Sequence, residues 1–201
     1  PYFSAQGNLS TGIEVKNTDM VNGKAVKIRF RSARNGDDMF DFQVFLPPND
    51  IWRADVSQNN DLLASLLTFS TPCQKPNLTA WGRLSFSTVR LDPSASLATQ
   101  AADTREGYVE IINMADIPPG SPLFTAITPV NGAAPSCSGA AWSRLDVGFS
   151  YPAEAVSAGL APPSTGLLAN WYVWDTAALT MFTGRAVAFQ ANTIISFEQE
   201  E

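Results

Sequence analysis

The side chains that could do chemistry in this chain are carboxylates, because it contains no histidine. Without histidine there is no Ser-His-Asp or Cys-His nucleophile, no His-ligated zinc and no imidazole base near neutral pH. An enzyme with this sequence would need a pair of carboxylates, as glycoside hydrolases use. The candidates are Asp37, Asp38 and Asp41 in one stretch, and Glu106 and Glu110 in another.

Each of these carboxylates also fits a structural position. Asp37 and Asp38 suit a polar hairpin turn, and Asp41 alternates with phenylalanines, so it should face solvent. The two glutamates share one strand face, where water or a cross-strand partner is expected. Calcium would need oxygen ligands at regular intervals, which the acidic run from Asn35 lacks. We therefore predict a protein without catalytic residues, metal or cofactor.

Aromatic side chains allow a different function, because flat rings can stack on sugars. The chain has five tryptophans and four tyrosines. Trp171 and Tyr172 are adjacent on a predicted strand, so they face opposite sides and one of them should point outward or into a partner. Core packing remains the ordinary role of aromatic residues. Surface glycans are therefore an alternative partner.

Basic residues form a strip along one predicted strand. The strip consists of Lys24, Lys27, Arg29 and Arg31. We expect a solvated outer face that pairs across the sheet with Glu14 or Asp41. Contact with an acidic neighbouring subunit is the alternative. Nucleic acid is not an expected partner, since the net charge is −6 and phosphate binding needs a cationic surface.

The positions of these residues depend on strands, which apolar alternation predicts along most of the chain. Val26, Ile28 and Phe30 alternate with basic residues, and alternation of period two indicates a sheet with one buried face. About ten such strands, joined by long loops rich in Pro, Gly and Ser, predict an all-β fold, an antiparallel β-sandwich of jelly-roll or Ig-like type. We expect one domain spanning residues 1–201. The predicted strands are Leu9–Val15, Val21–Arg31, Met39–Leu46, Ile51–Val56, Leu62–Phe69, Arg83–Arg90, Gly107–Met114, Leu145–Phe149, Leu167–Trp174, Ala178–Phe182 and Ala186–Phe197. For Leu62–Phe69 a short helix is the alternative, because the preceding Asn59, Asn60 and Asp61 would cap one.

Three segments between the strands are predicted as loops. Pro93–Thr104 is a loop of small residues with a helical turn through Ala95–Ala102. Pro118–Ala141 and Ser157–Thr165 are loops rich in small residues and proline.

Two cysteines indicate the compartment. Cys73 and Cys137 lie in stretches rich in Pro and Ser, where bridges between loops are common. We predict that they form a disulfide, which implies an oxidising environment. The chain starts at Pro1, as expected of a processed, secreted protein. It has no apolar run of 18 residues, so no membrane span is predicted.

Five segments are similar to a known group of proteins. They are Gly12–Thr18, Val26–Arg31, Asp41–Trp52, Arg105–Ile112 and Gly166–Asn170. This set resembles a group of secreted bacterial cell-surface proteins without an assigned activity. The resemblance implies export and a role at the surface, and it carries over no site residues.

Both ends of the chain are predicted to take part in assembly. An extended apolar segment can add to the open sheet edge of a neighbour, and contacts of this kind give open polymers when the rotation does not close. We therefore expect a secreted, self-assembling structural protein, a filament or sheath subunit that exchanges strands between copies. The alternative is that the C-terminal strand completes its own sandwich. The assembly residues are Ala186, Val187, Phe189, Ile194, Ile195, Phe197, Tyr2 and Phe3.

Overall fold

The computed structural model describes residues 1–187, in which eleven strands form two antiparallel sheets. In chain order the strands are β1 (Tyr2–Ser4), β2 (Leu9–Asn17), β3 (Gly23–Ser32), β4 (Asp38–Leu46), β5 (Ile51–Gln58), β6 (Ala64–Leu67), β7 (Cys73–Lys75), β8 (Leu84–Ser85), β9 (Glu106–Ile117), β10 (Leu167–Asp175) and β11 (Thr180–Arg185). One sheet has the order β1-β9-β3-β4-β7, and the other has the order β11-β10-β2-β5-β6-β8. The predicted all-β sandwich is confirmed.

The main core lies between the two sheets, where the alternating apolar faces of the strands meet. In the β3–β4 pair, Ile28 lies opposite Phe42 and Phe30 opposite Phe40. Burying a side chain of this size stabilises the fold by roughly 2 kcal/mol. The largest buried members of this core are Phe3, Ile13, Ile28, Phe30, Met39, Phe42, Leu46, Trp52, Leu66 and Phe86.

Short helices add a third layer on the outer face of the five-stranded sheet. Residues 1–187 contain four α-helices, α1 (Leu97–Asp103), α2 (Pro122–Ile127), α3 (Ala140–Arg144) and α4 (Pro152–Ser157), with 3₁₀ helices at Leu78–Ala80 and Leu145–Val147. Of these, α2, α3 and α4 contribute to the layer. Ser121 starts α2, because its hydroxyl accepts a hydrogen bond from the Phe124 N–H at 3.1 Å and satisfies an otherwise unbonded donor. Helices α2 and α4 and the segment around Leu145 cover Ala25, Phe45 and Ala115 in a second apolar cluster.

A β-bulge lets β9 serve both cores. Val26 lies opposite Asn113 and Ala25 opposite Ala115, so Met114 has no partner in β3. The extra residue reverses the alternation. Val109 therefore faces the other sheet, while Ala115 and Ile117, an even number of positions further along β9, face the helical layer.

Several local predictions are wrong. The predicted strand Arg83–Arg90 shortens to Leu84–Ser85, and the predicted strand Leu145–Phe149 is replaced by a 3₁₀ helix at Leu145–Val147. The predicted loop Pro118–Ala141 contains α2 and the start of α3, while α4 was not predicted. The helical turn expected within Ala95–Ala102 is present as α1. Of the predicted strand Ala186–Phe197, only Ala186 and Val187 lie within the described residues, and they follow β11 without strand structure.

Candidate functional site

The edges of the two sheets differ in how open they are to another chain. Edge strands expose main-chain N–H and C=O groups that can pair with an added strand. Strand β8 has two residues, and β7 has three before Pro76. Strand β1 also has three, and the Thr11 hydroxyl accepts a hydrogen bond from the Ser4 N–H and donates one to the Ser4 carbonyl, both at 2.8 Å. These three edges are short or blocked, which leaves β11.

Strand β11 is a regular, six-residue edge. It pairs with β10 without a register shift, and the Ala186 N–H donates to the Ala169 carbonyl at 2.9 Å. Because main-chain groups alternate in direction along an antiparallel strand, those of Met181, Thr183 and Arg185 point away from β10. No strand within residues 1–187 pairs with this side. The strand contains no proline, and Arg185 is its only charged residue.

Strand β11 also extends past the sheet that faces it. Val173 and Phe182 lie opposite each other on the same face, yet Val173 is 4% exposed and Phe182 is 65% exposed. The Trp171 ring lies over Gly184, where a Cβ would stand 2.5 Å from the ring. The Tyr2 ring contacts Trp171 edge-on, with ring centroids 6.2 Å apart. We call β11, with its outward main-chain groups and the Phe182 side chain, the open edge.

A pair of aromatic rings lies on the outer face of the six-stranded sheet. Tyr172 and Trp174 stack with centroids 5.1 Å apart and planes 18° apart, and Gly12 makes room for the Tyr172 ring. Burial and the carboxylates of Asp55 and Glu14 raise the pKa of Tyr172, so its hydroxyl remains a neutral donor at pH 7. Trp171 and Tyr172 thus face opposite sides of β10, as expected of adjacent residues on a strand.

The basic strip forms ion pairs with three carboxylates on the outer face of the five-stranded sheet. Each pair is diagonal, joining residues that are not directly opposite in the register. The prediction of a solvated face is wrong, since Lys27 is 3% and Asp38 is 8% exposed. The expected partner Asp41 is present, whereas Glu14 pairs with Arg53 instead. The ion pairs join Lys27 to Asp41 (3.0 Å), Arg29 to Asp38 (3.7 Å) and Arg31 to Glu110 (2.6 Å).

The candidate carboxylates are therefore distributed among separate partners. Glu106 accepts a hydrogen bond from the Tyr2 hydroxyl at 2.8 Å, and Asp37 accepts one from the Asn35 amide. Asp38 belongs to β4 and not to the predicted turn. Burial and the charge of Asp41 raise the pKa of Asp38. Nearby guanidinium groups act to lower it, but they do not outweigh burial. Asp41, expected in solvent, is largely buried. This arrangement is typical of ion pairs that hold strands together.

Lys24 does not belong to the strip. It lies opposite Asp116 in the register, and its ammonium group is fully buried. The Nζ atom donates to Asp116 Oδ1 at 2.7 Å, to Ser164 Oγ at 2.8 Å and to the Thr165 carbonyl at 2.9 Å. All three protons of a charged ammonium are thus used. This cluster ties the loop before β10 to β3 and β9. The sequence alone could have shown this, because Lys24 and Val26 are two residues apart and lie on the same face of β3, whereas Lys27 lies on the opposite face.

Asp19 completes this charged cluster from the loop before β3. Its carboxylate lies 3.5 Å from Lys24 Nζ and accepts hydrogen bonds from the main-chain N–H groups of Val21 and Asn22. Burial acts to raise its pKa, but these hydrogen bonds and the Lys24 charge outweigh burial and lower the pKa to about 2. The carboxylate is therefore ionised throughout the physiological range.

The predicted disulfide is present. Cys73 in β7 is bonded to Cys137 in the segment between α2 and α3. The Cys137 N–H donates to the Ala126 carbonyl at 3.0 Å, and Cys73 is buried in the second apolar cluster. The bond therefore fastens the helical layer to an edge strand of the five-stranded sheet.

The residues predicted for assembly fall into three groups. Tyr2 and Phe3 lie in β1, which pairs with β9 of its own chain. Tyr2 is 41% exposed and contacts Trp171, whereas Phe3 is fully buried and packs edge-on against Phe30, with ring centroids 5.4 Å apart. Ala186 packs against the main core and Val187 is exposed. The other predicted residues, Phe189, Ile194, Ile195 and Phe197, lie outside the described residues. The open edge itself was missed, although Met181 and Phe182 place two large apolar residues side by side in β11.

Comparison of the chain with protein-family models, curated proteins and solved structures finds no match. Among residues 1–187, no helix has the length and apolar character needed to cross a membrane. The same part of the chain contains no group of three or more cysteine or acidic side chains placed to hold a metal ion.

Proposed function

We propose that this chain is a secreted structural subunit that assembles with copies of itself at a cell surface by adding a strand to the open edge. The observation that carries this proposal is the contrast among the sheet edges. Three are short or blocked, while β11 offers a regular run of outward main-chain groups. Soluble proteins usually protect such an edge with proline, a bulge or inward charges, and β11 has only Arg185.

The exposed apolar side chains of β11 support the same function. Met181 and Phe182 are each more than 60% exposed, and a neighbouring strand would cover them along with the main-chain groups. Apolar exposure beside an unpaired edge favours association over solubility. The disulfide between Cys73 and Cys137 supports an extracellular location, because such bonds persist in oxidising compartments. The resemblance to secreted bacterial surface proteins points the same way.

The test uses a variant that blocks the open edge while preserving the fold. Thr183→Pro removes an N–H that faces away from β10, so pairing with β10 should survive, and Met181→Lys places a charge beside it. We expect this double variant to raise the concentration needed for assembly by at least about fivefold, because one main-chain hydrogen bond contributes about 1 kcal/mol and the added charge opposes pairing further. Light scattering after size exclusion and negative-stain microscopy report the assembly.

Thr183→Val is the matched control, because it keeps the N–H and the β-branched shape. It should assemble like the original chain. Val147→Lys removes a comparably exposed apolar side chain, 81% exposed, from the helical layer and should also have no effect. Circular dichroism checks that every variant is folded. If the original chain stays monomeric at high concentration, as the double variant does, the proposal is refuted.

Glycan binding is a second candidate, and the stacked pair Tyr172–Trp174 on an open sheet face favours it. It ranks second because each ring uses one face on the other, leaving no coplanar platform for a sugar. If glycans bind there, Trp174→Ala should abolish signals on a glycan array. Trp81→Ala, which removes an exposed tryptophan elsewhere, should leave them unchanged. An array without signals for the original chain would exclude this function.

A further inference from the structure

The chain contains three Asn-Gly pairs, which begin at Asn22, Asn35 and Asn131. In such a pair the main-chain nitrogen of the glycine can attack the side-chain carbonyl of the asparagine, because glycine has no side chain to shield that nitrogen. We propose that Asn131 is a site of spontaneous deamidation in the folded protein and that the fold protects the other two asparagines. This inference concerns a covalent modification and does not depend on the proposed assembly.

The pair Asn131–Gly132 forms the tip of an exposed two-residue turn. Val130 and Ala133 are bridged, and the Ala133 N–H donates to the Val130 carbonyl at 2.9 Å. Both turn residues have positive φ, 53° for Asn131 and 77° for Gly132, as a type I′ turn requires. Neither the Asn131 amide nor the Gly132 N–H forms a hydrogen bond within the described part of the chain. Both reacting groups are therefore accessible.

Asn35 is exposed as well, but hydrogen bonds hold both of its reacting groups. The Gly36 N–H donates to the Ser32 carbonyl at 2.9 Å. The Asn35 side-chain amide donates to the Asp37 carboxylate at 2.5 Å, and its carbonyl accepts from the Asp37 N–H at 3.2 Å. The nitrogen that must attack is already bonded, and the side chain that must be attacked is held by Asp37.

Asn22 is held in the loop before β3. Its side-chain amide donates to the Asp19 carboxylate at 3.1 Å, and its main-chain N–H donates to the same carboxylate at 3.0 Å. Gly23 is buried at the start of β3, opposite Ile117 of β9, and a Cβ at this position would stand 2.8 Å from Ile127. Attack by the Gly23 nitrogen would need the end of this strand to open, so we expect this pair to be protected.

The reaction at Asn131 needs only water. The Gly132 nitrogen loses its proton and forms a bond to Asn131 Cγ, while the bond between Cγ and the side-chain nitrogen breaks and ammonia leaves with a proton. Water then opens the cyclic imide at either carbonyl, which gives aspartate or isoaspartate. Nothing is oxidised or reduced. The rate should rise with pH, because the deprotonated nitrogen is the nucleophile.

The products change the charge and the local chain path. Each product replaces a neutral amide by a carboxylate, which adds one negative charge to the net charge of −6, and isoaspartate also lengthens the main chain within the turn. The disulfide lies outside this turn, and the Cys137 N–H donates to the Ala126 carbonyl at 3.0 Å. We therefore expect the helical layer to stay in place after the reaction.

The test incubates the full chain at mildly alkaline pH and follows the new charge by native isoelectric focusing. Mass spectrometry of reduced tryptic peptides locates the change, since the three asparagines fall in different peptides. We expect Asn131 to react at least about fivefold faster than Asn35 or Asn22, because a hydrogen bond at the attacking nitrogen must otherwise break first. In the chain unfolded in urea, the three sites should react at similar rates.

Asn131→Gly is the test variant, because glycine accepts the positive φ and Gly-Gly also fits this turn. It should lose the early acidic species, whereas the matched variant Asn35→Gly should form that species at the original rate. Circular dichroism checks that both variants are folded. If Asn35→Gly abolishes the species, or if Asn131 reacts no faster than Asn22 in the folded chain, the inference is overturned. Either result leaves the proposed assembly untouched.

Discussion

Replacing Lys24 with methionine is expected to lower the free energy of unfolding by about 3–5 kcal/mol, the usual cost of removing one partner from a buried ion pair. The Lys24 ammonium is fully buried, and Asp116 is 3% exposed. Without the ammonium, the Asp116 carboxylate keeps its hydrogen bonds from Ser164 but loses its countercharge. Urea denaturation at pH 7, followed by tryptophan fluorescence, measures the loss.

A double variant separates the ion pair from packing. Lys24→Met with Asp116→Leu removes both charges, so it should recover much of the stability lost in the single variant. Lys16→Met changes a partly exposed lysine on β2 and should stay within about 0.5 kcal/mol of the original chain. A Lys24→Met chain as stable as the Lys16→Met chain would mean that the buried cluster contributes nothing to the fold.

The strands were predictable because their alternation has a direct physical cause. In β3 and β4, every second side chain fills the space between the sheets, so the apolar pattern records the buried face. Predicted and observed ends of these strands differ by at most two residues. The bulge at Met114 is harder to predict, because it adds one residue without breaking the apolar character of β9.

The helical layer was not predictable in the same way. Helices α2 and α4 have six residues each, which is too short for a helical period to stand out. Helices of this length are unstable alone and form because tertiary contacts stabilise them. Leu123 and Ile127 of α2 pack on the outer face of the five-stranded sheet. A sequence rich in Pro, Gly and Ser therefore looked like a loop.

The burial of the basic strip was also not predictable from the sequence. Alternation shows that Lys27, Arg29 and Arg31 share a face, but it does not show what lies over that face. The prediction of a cross-strand carboxylate succeeded for Lys27 because a charge on a sheet needs a nearby partner. The prediction of solvent exposure failed because packing over the outer face depends on distant segments.

The open edge was missed for a related reason. Which strand ends a sheet depends on the order of strands, and the sequence of β11 does not contain that order. The cysteine pair, in contrast, was predicted from its surroundings, because both residues lie in turn-rich stretches where loops approach each other.

Removing the disulfide, with Cys73→Ala and Cys137→Ala together, is expected to lower the free energy of unfolding by about 4 kcal/mol. The two cysteines are 64 residues apart, and the chain-entropy model gives about 4 kcal/mol for a loop of that length. The bond also fastens the helical layer to β7, a three-residue strand that pairs only with β4 among the described residues. Chemical denaturation of the double variant, compared with the original chain, measures the change.

The location of the bond predicts where its loss is felt first. Trp142 of α3 packs edge-on against Phe45, with ring centroids 4.9 Å apart, so its near-ultraviolet circular dichroism reports whether the helical layer stays in place. This signal should weaken in the double variant before the far-ultraviolet signal of the sheets changes. Reducing agent added to the original chain should reproduce the effect, since it opens the same loop. A loss below about 1 kcal/mol would mean that the apolar cluster beneath the helices, and not the covalent bond, holds this layer on the sheet.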